Sequence, residues 1–135
     1  MKLSEVLTNA RKLVEAGWCT GAFAKDANGH NCFYNAEKIA VEYDMLGAIG
    51  MSTWAKDPHS IQYDEGQKAK QKAHDAIGAV LLTKGTEKSM AIWNDRSGRT
   101  KEEVLAVFDE TIAAALKTEE TPEVSIPLEV EELDA

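Results

Sequence analysis

Eight residues, Trp93 to Thr100, bring together an aromatic ring, an amide, a carboxylate and two guanidinium groups. That set can bind. A helix beginning after Thr100 would offer unpaired N–H groups and the positive end of its dipole, with Arg96 and Arg99 just ahead of it. Trp18, Trp93 or Phe33 would supply a flat face for stacking. The chemistry implied is non-covalent capture of a small anionic or nucleotide-like molecule. Trp18, Trp93, Asn94, Asp95, Arg96 and Arg99 are the ligand-binding candidates. Glu102 and Glu103 oppose the idea, because acids in a first turn already occupy the positive end.

The same letters have a structural reading. Thr100 and Glu103 have the spacing of a capping box, in which hydroxyl and carboxylate each bond the other residue's amide. Asn94 and Asp95 can fold back on neighbouring amides, and Ser97-Gly98 suits a tight turn. On that reading the cluster first orients the last helix, and recognition is secondary.

Two further chemistries compete for Cys19. With His30, His59 or His74 as base and Asn94 or Asp95 as orienter, it would be the nucleophile of a cysteine-dependent hydrolase, which requires a lowered thiol pKa. Gly17 and Gly21 bracket it in a turn or strand rather than a helix, so a buried structural thiol is expected. Cys19, His30 and Cys32, with Asp26, would make a zinc site of unfamiliar spacing. An Asn28-Gly29 hairpin turn accounts for the same residues, and no metal or cofactor is expected.

Positioning these groups falls to a mainly α fold with a small β element (α+β): about four helices plus a short hairpin. Leu3, Val6, Leu7, Ala10, Leu13 and Val14 mark a helix over 5–16, with Ser4 as N-cap and Gly17 as its stop. Extended segments near 19–25 and 30–34 form the hairpin, with the apolar run 89–93 as a further strand or a buried connector. Asn35 caps a second helix over 36–49 whose inner face carries Ala36, Ile39, Ala40, Tyr43, Leu46 and Gly47. Gly47 and Gly50 permit a close backbone approach. A loop over 51–63 holds Trp54. A third helix over 64–84 turns Ala69, Ala73, Ala76, Ile77, Val80 and Leu81 inward and ends at Gly85. The fourth, 101–117, buries Leu105, Phe108, Ile112 and Leu116.

The net charge of −8 is local in origin. Seven acids and no base follow Thr118, which leaves 16 acids against 15 bases in residues 1–117. A near-neutral body lacks the clustered positive surface that DNA binding needs. Residues 1–117 read as one domain and 118–135 as an acidic arm. In that arm Val124, Ile126, Leu128 and Val130 alternate with Ser125, Pro127 and Glu129, the period of an extended segment docked on the body or on a neighbour in a homo-oligomer, while the acidic composition alone equally fits a disordered tail. Lys68, Lys70, Lys72, Lys84 and Lys88 give the third helix a basic side on which it could lie. No stretch has the apolar length of a membrane span, and the charged N-terminus does not read as a signal peptide, so the expected location is the cytoplasm.

The order "GWCTGAFAKDANG", "GAIG", "IWND", "RTKEEVLAVFDETI" resembles an uncharacterised family of short proteins from actinobacteria and bacteriophages, over most of residues 3–116. The resemblance implies a small cytoplasmic domain, phage-encoded and acting in the host cytoplasm in some cases, and it brings no catalytic residues. The function expected is therefore non-enzymatic binding, of a small anionic or nucleotide-like host molecule or of a host protein, in the cleft between the hairpin and the Trp93–Arg99 loop. The alternatives are an assembly subunit that uses its arm, and the hydrolase.

Overall fold

The computed structural model describes residues 1–36, 38–86 and 89–120. The arm residues Val124, Ile126, Leu128 and Val130, and Lys88, lie outside the described residues. The described part contains, in order, α1 (Leu3–Ala16), β1 (Ala24–Lys25), β2 (Asn31–Cys32), β3 (Glu42–Tyr43), α2 (Met45–Ser52), α3 (Ile61–Thr83), α4 (Met90–Asn94) and α5 (Lys101–Glu120). It is the α+β arrangement expected, with five helices among the described residues in place of about four.

The core follows from helical periodicity. On α1, Val6, Leu7, Ala10 and Val14 are buried, facing Val104, Val107 and Phe108 of α5, Ile49 of α2, and Ala73, Ile77 and Leu81 of α3 in one cluster. Spacings of three and four put each set on one side of its helix, which is why they share an interior. On α5 the buried stripe is Val104, Val107, Phe108, Thr111 and Ala115. Leu116, expected inside, is 47% exposed, because the helix face rotates past it.

Helix ends show where local chemistry and tertiary contact divide the work. Ser4 is not the N-cap of α1; Lys2 is, and its amide donates to Glu5 Oε1 at 3.3 Å. The Ser4 hydroxyl and amide instead donate to Glu119 at 2.8 and 3.2 Å. A carboxylate from the far end of α5 thus satisfies first-turn donors of α1 and faces its positive end. At the other end of α1, Lys101 Nζ donates to the Glu15 carbonyl at 3.0 Å.

Two expected elements are replaced. Residues 36 and 38–43 are not helical: they hold a turn and β3, and α2 begins only after Asp44, whose carboxylate accepts from the Gly47 amide at 2.6 Å. Ile39 and Val41, counted on an inner face or passed over, are about half exposed. The segment 89–93 is not a strand but the start of α4, capped by Ser89, whose Oγ accepts from the Ile92 amide. The sheet's third strand is β3, in the order β2-β1-β3, all antiparallel. The hairpin is present with Gly29 at φ +82° in the turn, but its paired strands are two residues each, shorter than the segments 19–25 and 30–34 expected.

Gly47 makes the close approach foreseen from the sequence. A Cβ there would meet the Phe23 carbonyl, and one on Gly50 would meet the Tyr34 ring. Side chains at either position would push the hairpin off α2.

Candidate functional site

Asn94 is fully buried and uses all its hydrogen-bonding capacity on other parts of the chain. Its Oδ1 accepts from Trp18 Nε1 at 2.9 Å and from the Met45 amide at 3.3 Å. Its Nδ2 donates to the Cys19 carbonyl at 3.2 Å and to Asp95 Oδ1 at 2.9 Å. Asp95 Oδ1 also accepts from the Gly21 amide at 3.1 Å. Asn94 and Asp95 were expected to fold back on their own loop. They brace residues 18–21 and the start of α2 instead.

The arginines and Trp93 have other engagements. Arg99 lies with its guanidinium 3.7 Å from the centroid of the Trp93 ring, donates from Nε to the Trp93 carbonyl at 2.9 Å, and pairs with Glu103 at 3.5 Å. Trp93 is buried beneath it. The capping box is present: the Thr100 amide donates to Glu103 Oε1 at 2.9 Å and the Glu103 amide to Thr100 Oγ at 3.2 Å. The Thr100 amide, with help from Arg99, holds the Glu103 carboxyl below its ordinary range. The first turn of α5 is thereby closed with internal partners. Arg96 is exposed, beside a shallow hollow shared with Ala91, Ile92, Asp95 and Ser97.

A hollow of about 640 Å³ opens between the hairpin and α4. Gly21, Ala22 and Phe23 form one wall, and Asn31 to Tyr34 another. Ala91 of α4 and Asp95 just past its end close it, together with Asp44 at the head of α2. Its lining is largely apolar, and its charged side chains are the two aspartates. Phe33 is 81% exposed and Phe23 55%, so aromatic surface stands at the opening. Phe23, Tyr34 and Trp54 run in a row of edge-to-face contacts with centroids 6.4 and 6.2 Å apart. Such contacts fix ring orientation as well as burying area.

Asp44 is only 3% exposed, and burial raises its carboxyl to about 6, with Asp95 adding like-charge repulsion. Amide donors at Gly47 and Leu46 pull the other way. Burial also pushes the Cys19 thiol up to about 12, helped by Asp44, and its Sγ donates to the Ala22 carbonyl at 3.6 Å. A thiol so held stays protonated near neutrality, the reverse of what a cysteine nucleophile requires. Among the described residues no three His, Cys, Asp or Glu side chains gather as a metal site. Asp26 instead accepts from the Asn28 and His30 amides at 2.9 Å each, within the hairpin turn.

A family of unknown function, DUF6197, matches residues 1–114, which spans every element above except the last turns of α5. The chain belongs to that family. No curated protein and no solved structure matches it. The match takes in the bracing residues Trp18 and Asn94 and every residue of the hollow, and it excludes the arm beyond residue 120. No helix among the described residues is long and apolar enough to cross a membrane.

Asp44, Phe23 and Tyr34 were not among the candidates named from the sequence. For Asp44 a signal was there: an Asx residue directly ahead of the apolar run Met45-Leu46 has the form of an N-cap. For Phe23 and Tyr34 the deciding fact is a pairing of strands across a turn, which gives no local signature.

Proposed function

We propose that this DUF6197 chain is a non-enzymatic binding protein whose ligand site is the hollow between the hairpin and α4. The ligand class that fits is a cationic group, an amine or a guanidinium, carried on an apolar or aromatic body. One observation carries this reading: Asp44 and Asp95 face a hollow otherwise lined by apolar and aromatic surface. A cation there gains charge-assisted hydrogen bonds from the carboxylates and attraction from the ring faces. An anion would meet like charge, so the anionic ligand inferred from Arg96 and Arg99 gives way to one of opposite sign.

The buried carboxylate argues for function on energetic grounds. Capping α2 needs only an acceptor, and asparagine or serine would serve as well. Asp44 carries a charge in a dry position, at a cost to stability, beside a hollow; perturbed groups in clefts mark binding and catalytic sites. The direct test is calorimetric titration with phenethylamine as probe. The wild-type chain is expected to bind it, and Asp95→Asn to weaken binding at least tenfold. Equal affinity in the two proteins would contradict the reading.

A further inference from the structure

A smaller hollow of about 140 Å³ lies where the hairpin meets α2 and α3. Lys70 and His74 of α3, Leu46 and Gly50 of α2, and the rings of Phe23 and Tyr34 line it. Phe23 and Tyr34 line the ligand hollow too, so the two share a wall. Their charges are of opposite sign: two aspartates there, a lysine beside a histidine and no acid here.

His74 holds an unusual atom. Its Nε2 is a buried side-chain nitrogen with no hydrogen-bond partner among the described residues. Native interiors keep few such atoms, and each calls for a partner. Lys70 precedes His74 by four residues on α3, which puts both on one face of the helix. The lysines read as one basic side of α3 do not share that face. Lys72 lines a groove between α3 and α5, and Lys84 pairs with Glu110 at 2.7 Å. Lys70 is half-buried and has no ion pair among the described residues. Tyr34 contributes a hydroxyl. A Cβ on Gly50 would meet Cζ and both Cε atoms of its ring, so the hydroxyl end lies at the α2 side of the hollow.

We propose that this hollow binds a small monocarboxylate, of the size of acetate, between Lys70, His74 and Tyr34. Lys70 offers one positive charge, while imidazole and phenol offer uncharged N–H and O–H donors, which matches one negative charge on two oxygens. Burial holds the His74 imidazole below its ordinary range, and Lys70 repels its charged form. Asp75, which accepts from Gln71 at 2.9 Å, acts the other way. His74 is therefore neutral near pH 7 and serves as a donor rather than a second charge. Size sets the upper limit. A cavity of about 150 Å³ is filled by benzene, so an acid that carries a ring overfills this one and acetate does not.

The test follows the His74 ring signals and the Gly50 amide of the labelled full chain during titration with sodium acetate at pH 7. Sodium chloride at equal ionic strength is the control. Acetate is expected to move both signals saturably, and chloride to leave them in place. The pH at which His74 titrates is expected to rise with acetate bound, because a nearby carboxylate favours the imidazolium. Lys70→Gln removes no ion pair and keeps the fold, and it is expected to weaken acetate binding about tenfold. No saturable shift with acetate would overturn the proposal, as would equal affinity in Lys70→Gln. Phosphate moving these signals where acetate did not would overturn the class of ligand.

Discussion

The Trp18 indole N–H donates to Asn94 Oδ1 across 76 residues of sequence, at 2.9 Å. That bond, with three others made by the same amide, ties the loop after α1 to α4 and to the head of α2. The loop continues into Gly21, Ala22 and Phe23, one wall of the ligand hollow. A buried amide with every valence used is a rigid, directional fastener, because its removal takes a partner from the Trp18 indole, the Met45 amide and the Cys19 carbonyl at once.

Asn94→Ala is therefore expected to destabilise the chain by about 2–4 kcal/mol, since it strands the Met45 amide and the Cys19 carbonyl in the interior. Trp18→Phe, which removes one donor and keeps most of the ring volume, is expected to cost about 1 kcal/mol. Urea unfolding of the three proteins measures both. Equal midpoints would mean that the network does not fasten the loop.

How much of this was legible in the sequence depends on the range of the forces involved. The helices α1, α3 and α5 announce themselves, because their inner residues recur at helical spacing and their faces are formed locally. The Thr100–Glu103 box is local too, and it is where the spacing puts it. The stretch 36–43 misleads because Ala36, Ile39, Ala40 and Tyr43 mimic a helical face. Yet the Tyr43 amide donates to the Gly17 carbonyl, and the Val41 amide to that of Lys25, partners that no window around them contains. The same holds for the Trp93–Thr100 cluster. Arg99 and Thr100 act locally as read, whereas Asn94 and Asp95 reach partners more than forty residues away.

The carboxyl of Asp44 titrates at about 6 when folded against an ordinary value of 3.8. A raised acid pKa means that its contribution to stability is complete below 3.8 and is lost as pH rises through 6. Asp44→Asn keeps an acceptor at the cap and removes the charge. It is expected to stabilise the chain above pH 7, by at most about 3 kcal/mol from the size of the shift, and to have little effect near pH 4. Tm measured for both proteins across that range checks the sign. Destabilisation at pH 7.5 would show that the buried charge is compensated by the fold itself.

Gly47→Ala adds one methyl group against the Phe23 carbonyl, where backbone must move to admit it. Overpacking of that kind is expected to cost about 1–3 kcal/mol, despite alanine's higher helix propensity. It should also widen the hollow and weaken ligand binding. A gain in stability, read by urea unfolding, would mean that the hairpin does not press on α2.

The two thiols provide an internal comparison. Cys19 is buried with a strongly raised pKa, whereas Cys32 is half-buried and lines the hollow. Iodoacetamide at pH 8 is expected to label Cys32 first and leave Cys19 intact in the folded chain. Saturating phenethylamine should slow the reaction at Cys32 severalfold. Mass spectrometry of the labelled peptides reads both, and faster labelling of Cys19 would revive a nucleophilic role for it.

Where a small cation goes on the chain decides both the site and the sign of its ligand. Amide chemical shifts of the labelled chain, followed during titration with phenethylamine and separately with phenylacetate, measure this directly. The amine is expected to move Ala22, Phe23, Phe33, Asp44 and Asp95 together and saturably, with the carboxylate leaving them in place. If phenylacetate moved those residues and the amine did not, or if the amine's shifts fell elsewhere, the site and the sign of its ligand would both be wrong.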